Sequence, residues 1–221
     1  MRKCLSALLA ALAFIPGCAP EGTGDLDVQW TVGLTGSCAQ ANLGFVAARL
    51  ETLSGTLLAR RDAPCDAHAV RFRDLPVGSY RVRLSAFDGD GVEAYAATVS
   101  DLSVQEGIEA ASCLARLTPR PGTISLSWYF QGGRLCSAYG VEDVLLSLFS
   151  ADIEILAQSF RCDRGAAVLE GLLPGSYEVR LDAVDAWGVP SHSFAAGNLL
   201  LRPGHELSFD AELTPCQGPC W

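Results

Sequence analysis

Apolar and polar residues alternate along most of this chain. Leu26, Val28, Trp30, Val32 and Leu34 are separated by polar or small residues, and Ile124, Leu126, Trp128 and Phe130 keep the same rhythm. A period of two marks a strand with one buried face. Further strands are predicted at Phe45 to Thr52, Leu57 to Arg60, Val70 to Phe72, Tyr80 to Ala86, Ala94 to Val99 and Ala110 to Leu117. A second set is predicted at Val144 to Ser150, Ile155 to Ser159, Val168 to Glu170, Tyr177 to Ala183, His192 to Ala195 and Leu207 to Leu213. Turn residues punctuate the gaps: Ser54-Gly55, Pro76-Val77-Gly78, Asp88-Gly89-Asp90-Gly91, Pro174-Gly175 and Arg202-Pro203-Gly204. No stretch sustains a helical period.

The two sets are copies. Leu75-Pro76-Val77-Gly78-Ser79-Tyr80-Arg81-Val82-Arg83-Leu84 returns as Leu172-Leu173-Pro174-Gly175-Ser176-Tyr177-Glu178-Val179-Arg180-Leu181. Trp30 answers Trp128, Cys38 answers Cys136, Cys65 answers Cys162, and Leu117-Thr118-Pro119 answers Leu213-Thr214-Pro215, all about 97 residues apart. Solenoid and propeller units are shorter, at ~20–50 residues, so this period is a duplicated domain. The expected division is residues 25–117 and 123–214, joined by a stiff proline-rich linker at 118–122, with a C-terminal tail at 215–221.

The N-terminus is not fold. Arg2 and Lys3 precede an apolar run from Leu5 to Ile15, too short to span a bilayer. It ends Ile15-Pro16-Gly17-Cys18, which resembles a bacterial lipobox. The resemblance implies a lipoprotein signal peptide over residues 1–17 and a mature chain beginning at Cys18. The Cys18 sulfur would carry diacylglycerol, a lipid with fatty acyl chains such as palmitate. Residues 18–24 would form a lipidated tether. Ala19 stands where many inner-membrane lipoproteins carry a retention Asp, so the resemblance favours the outer membrane, on its periplasmic or surface face. Two or more acyl chains hold firmly, at ~0.8 kcal/mol per buried methylene. The alternative is an ordinary secretory signal with an incidental cysteine.

Charge and cysteines fit an envelope protein. The formal charge of −9 becomes more negative once Arg2 and Lys3 leave, which excludes nucleic acid and anionic headgroups as natural partners. Lys3 is the only lysine, a sign of codon bias rather than chemistry. Pairs kept in both copies predict one disulfide per domain, Cys38 with Cys65 and Cys136 with Cys162. Cys216 and Cys220 flank a turn and could bridge locally. Cys113 aligns with the apolar Phe209 and reads as a buried free thiol. The cysteine spacing lacks the paired pattern of a zinc site.

Seven short strands per copy read as a β-sandwich. The repeated Leu-x-x-Gly-x-Tyr before a strand resembles the signature of Ig-like and carboxypeptidase-regulatory (transthyretin-like) domains. That resemblance implies tight turns at Gly78 and Gly175. It also implies that Tyr80 and Tyr177 pack inward while their hydroxyls tie back to backbone. The expected fold is therefore all-β, two tandem seven-stranded Ig-like sandwiches, with Trp30 and Trp128 as core anchors.

Candidate chemistry is sparse. There is no Gly-x-Ser-x-Gly elbow, zinc-protease helix motif or phosphate loop. His68, His192 and His205 lack counterparts in the other copy and read as solvated loop or strand-edge residues. Asp88, Asp90 and Glu93 resemble part of a calcium loop, although a turn that tolerates acids explains them better. Arg71, Arg73, Arg81 and Arg83 could line neighbouring strands and bind an anionic polymer. Trp187 and Trp221 could stack on sugar, but Trp187 is expected to cover the edge of its sandwich. No metal, cofactor or catalysis is expected. The expected role is structural, adhesive or recognition work in the envelope. The alternative is a carbohydrate- or protein-binding accessory subunit of an envelope complex.

Overall fold

A computed structural model describes residues 22–33, 36–107 and 110–216. The signal peptide, Cys18, Leu34, Cys220 and Trp221 lie outside the described residues. The first sandwich contains β1 (Thr23–Val32), β2 (Leu43–Thr52), β3 (Leu57–Pro64), β4 (Ala69–Pro76), β5 (Gly78–Asp88), β6 (Glu93–Val104) and β7 (Ala111–Pro119). The second contains β8 (Gly122–Phe130), β9 (Asp143–Ser150), β10 (Ile153–Arg161), β11 (Ala166–Leu172), β12 (Gly175–Val184), β13 (Pro190–Leu201) and β14 (Glu206–Pro215). Most strands run one to five residues beyond the alternation that predicted them, because backbone pairing continues where the side chains turn polar.

Both copies share one topology. Pairing runs β3-β2-β5-β6-β7-β1-β4 in the first and β10-β9-β12-β13-β14-β8-β11 in the second. The first strand of each copy pairs parallel to the last, and the other ladders are antiparallel. β6 meets β7 only at Tyr95↔Pro119 and Ala96↔Thr118. β13 meets β14 only at His192↔Pro215 and Ser193↔Thr214. Each pairing series therefore folds over at that corner into a sandwich of a four-stranded and a three-stranded face.

The alternating residues meet between those faces. Leu26, Val28, Trp30, Val32, Leu50, Val82 and Leu84 pack in the first core; Ile124, Leu126, Trp128, Leu146, Leu148, Val179 and Leu181 pack in the second. Each copy is closed by the same three ties. Cys38 bonds Cys65 with Cα atoms 5.8 Å apart, and Cys136 bonds Cys162 at 6.0 Å, ordinary spacings for a bridge. The Trp30 indole N–H donates to the Cys65 carbonyl and the Trp128 indole to Cys162, both at 3.0 Å. The Tyr80 and Tyr177 hydroxyls donate back to the carbonyls of Pro76 and Leu173. Cys216 is also disulfide-bonded. Cys113 is the free thiol among the described residues; it is only half-buried, and burial pushes its pKa up.

The joint is tighter than the predicted linker. Only Arg120 and Pro121 separate β7 from β8. The Arg120 N–H donates to Ala94 O, and the Gly204 N–H donates to Arg120 O. The β13–β14 turn thereby seats on the β5–β6 turn of the first sandwich. A Cβ at Gly204 would lie 2.4 Å from Glu93 O, so only glycine fits this seam, at a φ of +71°. The sandwiches follow one another end to end, with the far end of the second opposite the chain's N-terminus.

Candidate functional site

The acidic turn proposed from sequence as part of a calcium loop belongs to this joint. One Asp88 oxygen accepts the N–H groups of Asp90 and Val92, which shapes the turn. The other meets His205 Nε2, and Asp90 pairs with Arg202 at 2.8 Å. Burial opposes ionisation of Asp88. The His205 and backbone hydrogen bonds outweigh it and hold the carboxyl below its ordinary range. Asp88, Asp90 and His205 are close enough to share a cation, but their ligand atoms are already used and a guanidinium occupies the position of positive charge. The other such grouping, Cys38 with Asp66 and His68, offers no thiolate because Cys38 is oxidised. Millimolar calcium is expected to leave the melting temperature unchanged; an upward shift in a thermal melt would contradict this reading.

Two histidine expectations need correction. His68 is exposed, as predicted. His205 is instead packed in the joint, with its side chain 13% exposed. His192 is buried in β13, its ring 5.0 Å from that of Phe130 and 4.6 Å from that of Tyr139. Ser191 Oγ lies 3.0 Å from its Nδ1, but no carboxylate orients the pair, so no nucleophilic triad forms among the described residues. Neither position had a signal in the strand rhythm, because both contacts join segments distant in sequence.

Burial lowers the His192 pKa below 6.5. The unfolded chain then binds a proton that the native state refuses. Native stability is therefore lost as pH falls from about 6.5 through the lowered value. His192→Gln should flatten that loss in thermal melts at pH 7 and pH 5. An unchanged pH slope would refute the assignment.

The arginine stripe does not form. β4 lies in the face with β1 and β7, whereas β5 lies in the opposite face with β2, β3 and β6. Arg71 pairs with Asp27 and holds that carboxyl below its ordinary range, and Arg83 pairs with Glu51 at 3.2 Å. Strand order, which alternation does not encode, separates these groups.

The far end of the second sandwich is different in character. A cleft of about 510 Å³ opens there between the end of β8, the loop through Gly133–Ser137 and the 3-10 turn Cys162–Arg164. Trp128, Phe130, Leu135 and Val141 give it an apolar lining. Arg161 at its rim is tied to Glu142 at 2.6 Å. Leu135 is 78% exposed. Cys38 is buried in the first copy while its counterpart Cys136 is only partly so, and this loop stands open.

The β12–β13 turn, Asp185-Ala186-Trp187-Gly188-Val189, lies at the same end. Asp185 accepts the N–H groups of Trp187 and Val189, as Asp88 does for its own turn. Trp187 was expected to cover the sandwich edge. It is 87% exposed, because the Asp185-capped turn projects it away from β12 and β13. Among the described residues, aromatics elsewhere meet in separate pairs rather than in one exposed platform. Phe45 stacks on Phe87 at 4.8 Å in the first sandwich, and Tyr129 lies on β8.

No family model matches the chain, and no curated protein matches it. Among solved structures it is similar to the TIE protein of Bacillus anthracis, at 12% identity and a TM-score of 0.37, over 87% of this chain and 34% of that one. It is similar to a single B repeat unit of the collagen-binding surface protein CNA of Staphylococcus aureus, at 12% identity and a TM-score of 0.32, over 87% and 100%. It is also similar to a candidate cell-adhesion protein of Bacteroides eggerthii, at 10% identity and a TM-score of 0.39, over 91% and 93%. The chain thus spans about a third of the B. anthracis protein. Likeness of this degree carries no argument about what the chain binds.

Proposed function

We propose that this chain is a lipid-anchored, non-catalytic recognition protein of the bacterial envelope, whose two sandwiches hold the far end of the second one away from the membrane. The observation that carries the reading is the open, apolar-lined cleft at the end opposite the N-terminus, flanked by exposed Leu135, Trp187 and Val189. Strands of about ten residues make each sandwich ~30 Å long, so the pair would set that tip well clear of a bilayer surface. The tether and the lipid on Cys18 would supply attachment, by the lipobox resemblance. Edge strand β3 carries Arg60, Arg61 and Asp62, which discourage strand addition along that part of the edge, whereas edge strand β10 exposes Ile153 and Ile155.

Protein is favoured over polysaccharide as the ligand, since among the described residues Trp187 is joined at the tip by exposed aliphatics, Leu135 and Val189, rather than by a second exposed tryptophan. Mass spectrometry of the mature protein from the producing cells tests the anchor. An acylated Cys18 at the N-terminus is expected, with Cys18→Ala releasing the protein to the soluble fraction. An unmodified thiol at that position would end the lipid-anchor reading.

A further inference from the structure

The two copies present the same end to different surroundings. In the first copy, the turn Asp88-Gly89-Asp90-Gly91-Val92 is covered by Arg202 and His205 of the next sandwich. In the second, Asp185-Ala186-Trp187-Gly188-Val189 occupies the equivalent place. Its cap is the same: one oxygen of Asp185 accepts two backbone N–H groups at 2.9 Å. In Asp88 the oxygen not used this way receives the imidazole of the neighbouring module. Position 90 pairs with a guanidinium; its counterpart is Trp187, whose face would attract a guanidinium by cation–π interaction. Val189 is 58% exposed, whereas Val92 is half-buried.

We propose that the Asp185–Val189 turn is a docking site for a protein partner that presents an Arg- or His-bearing β-turn, in the manner in which the β13–β14 turn seats on the first sandwich. This deepens the recognition reading above and rests on it. The mature chain's negative charge favours a cationic partner. An exposed Trp beside a carboxylate supplies the aromatic anchor common at the centre of such contacts. A second copy of this chain fits poorly. In the β6–β7 turn at the near end of the first sandwich, Gln105 stands where the second copy has Arg202 and Ile108 is the sequence counterpart of His205, so it has no basic pair to offer Asp185.

The test uses the full chain and a cyclic peptide carrying Leu201-Arg202-Pro203-Gly204-His205-Glu206, followed by two-dimensional NMR, which reads affinities into the millimolar range. The joint's own site is filled, so shifts are expected at residues 185–189 and not at 88–93. Asp185→Asn keeps an oxygen to cap the turn but loses the anionic acceptor. It should weaken binding about tenfold or more, the order of one charge-assisted contact, as should Trp187→Ala. A peptide with both basic residues changed to Glu should not bind. Absence of shifts with the basic peptide would overturn the proposal, as would shifts centred on 88–93, shifts produced by neutral oligosaccharides instead, or line broadening with protein concentration alone. If the peptide fails while cross-links in cells still map to the tip, the docking mode falls and the recognition reading stands.

Discussion

Replacing Cys38 and Cys65 together by alanine is expected to lower the melting temperature of the first sandwich by roughly 15–25 °C, from a loss of ~3–4 kcal/mol spread over a domain of ~95 residues. The bridge closes a 27-residue stretch from the end of β1 to the start of β4. Its second cysteine is also where the Trp30 indole is tied, so freeing that segment loosens the largest side chain of the core. Cys136→Ala with Cys162→Ala should follow the same course through Trp128, with a smaller loss because Cys136 is only partly buried. Scanning calorimetry separates the two transitions. A loss under about 5 °C in the first sandwich would mean that the bridge is incidental to its stability.

Gly204→Val is expected to free the two sandwiches from one another without unfolding either. The added side chain meets the backbone of Glu93 and also disfavours the turn's positive φ. The seam should open, separating His205 from Asp88 and Arg202 from Asp90. Ionised Asp88 would regain water, so the variant loses coupling rather than domain stability. Small-angle scattering should then show a wider spread of shapes. Gly107→Val is the control: it strains a turn at a φ of +68° but has nothing within 4 Å to strike. Matching scattering from the wild type and Gly204→Val would contradict a seated joint.

Much of this architecture is legible in the residue pattern. Alternation around Trp30 and Trp128, the duplicated Gly-x-Tyr turns and the paired cysteines are local or repeated signals. Each of them appears in the structure where the repeat places it. The joint is not legible, because Asp88 and His205 are distant in sequence and neither has a counterpart contact in the other copy. The same holds for His192, whose aromatic neighbours come from the β8 end and the following loop. The arginine stripe fails for a topological reason: sequence neighbours β4 and β5 belong to opposite faces. Trp187 reads as a covering residue by hydrophobicity alone. Only the capped turn beneath it reveals that it points outward.

Site-specific photo-cross-linking in the producing cells, with the reactive residue placed in turn at 187, 135, 58 and 154, tests the central claim most directly. A recognition tip predicts a discrete adduct from positions 187 and 135 and none from the edge positions 58 and 154. Equal adducts at all four positions, or adducts from the edges alone, would show that the far end of the second sandwich is not where this protein meets its partner.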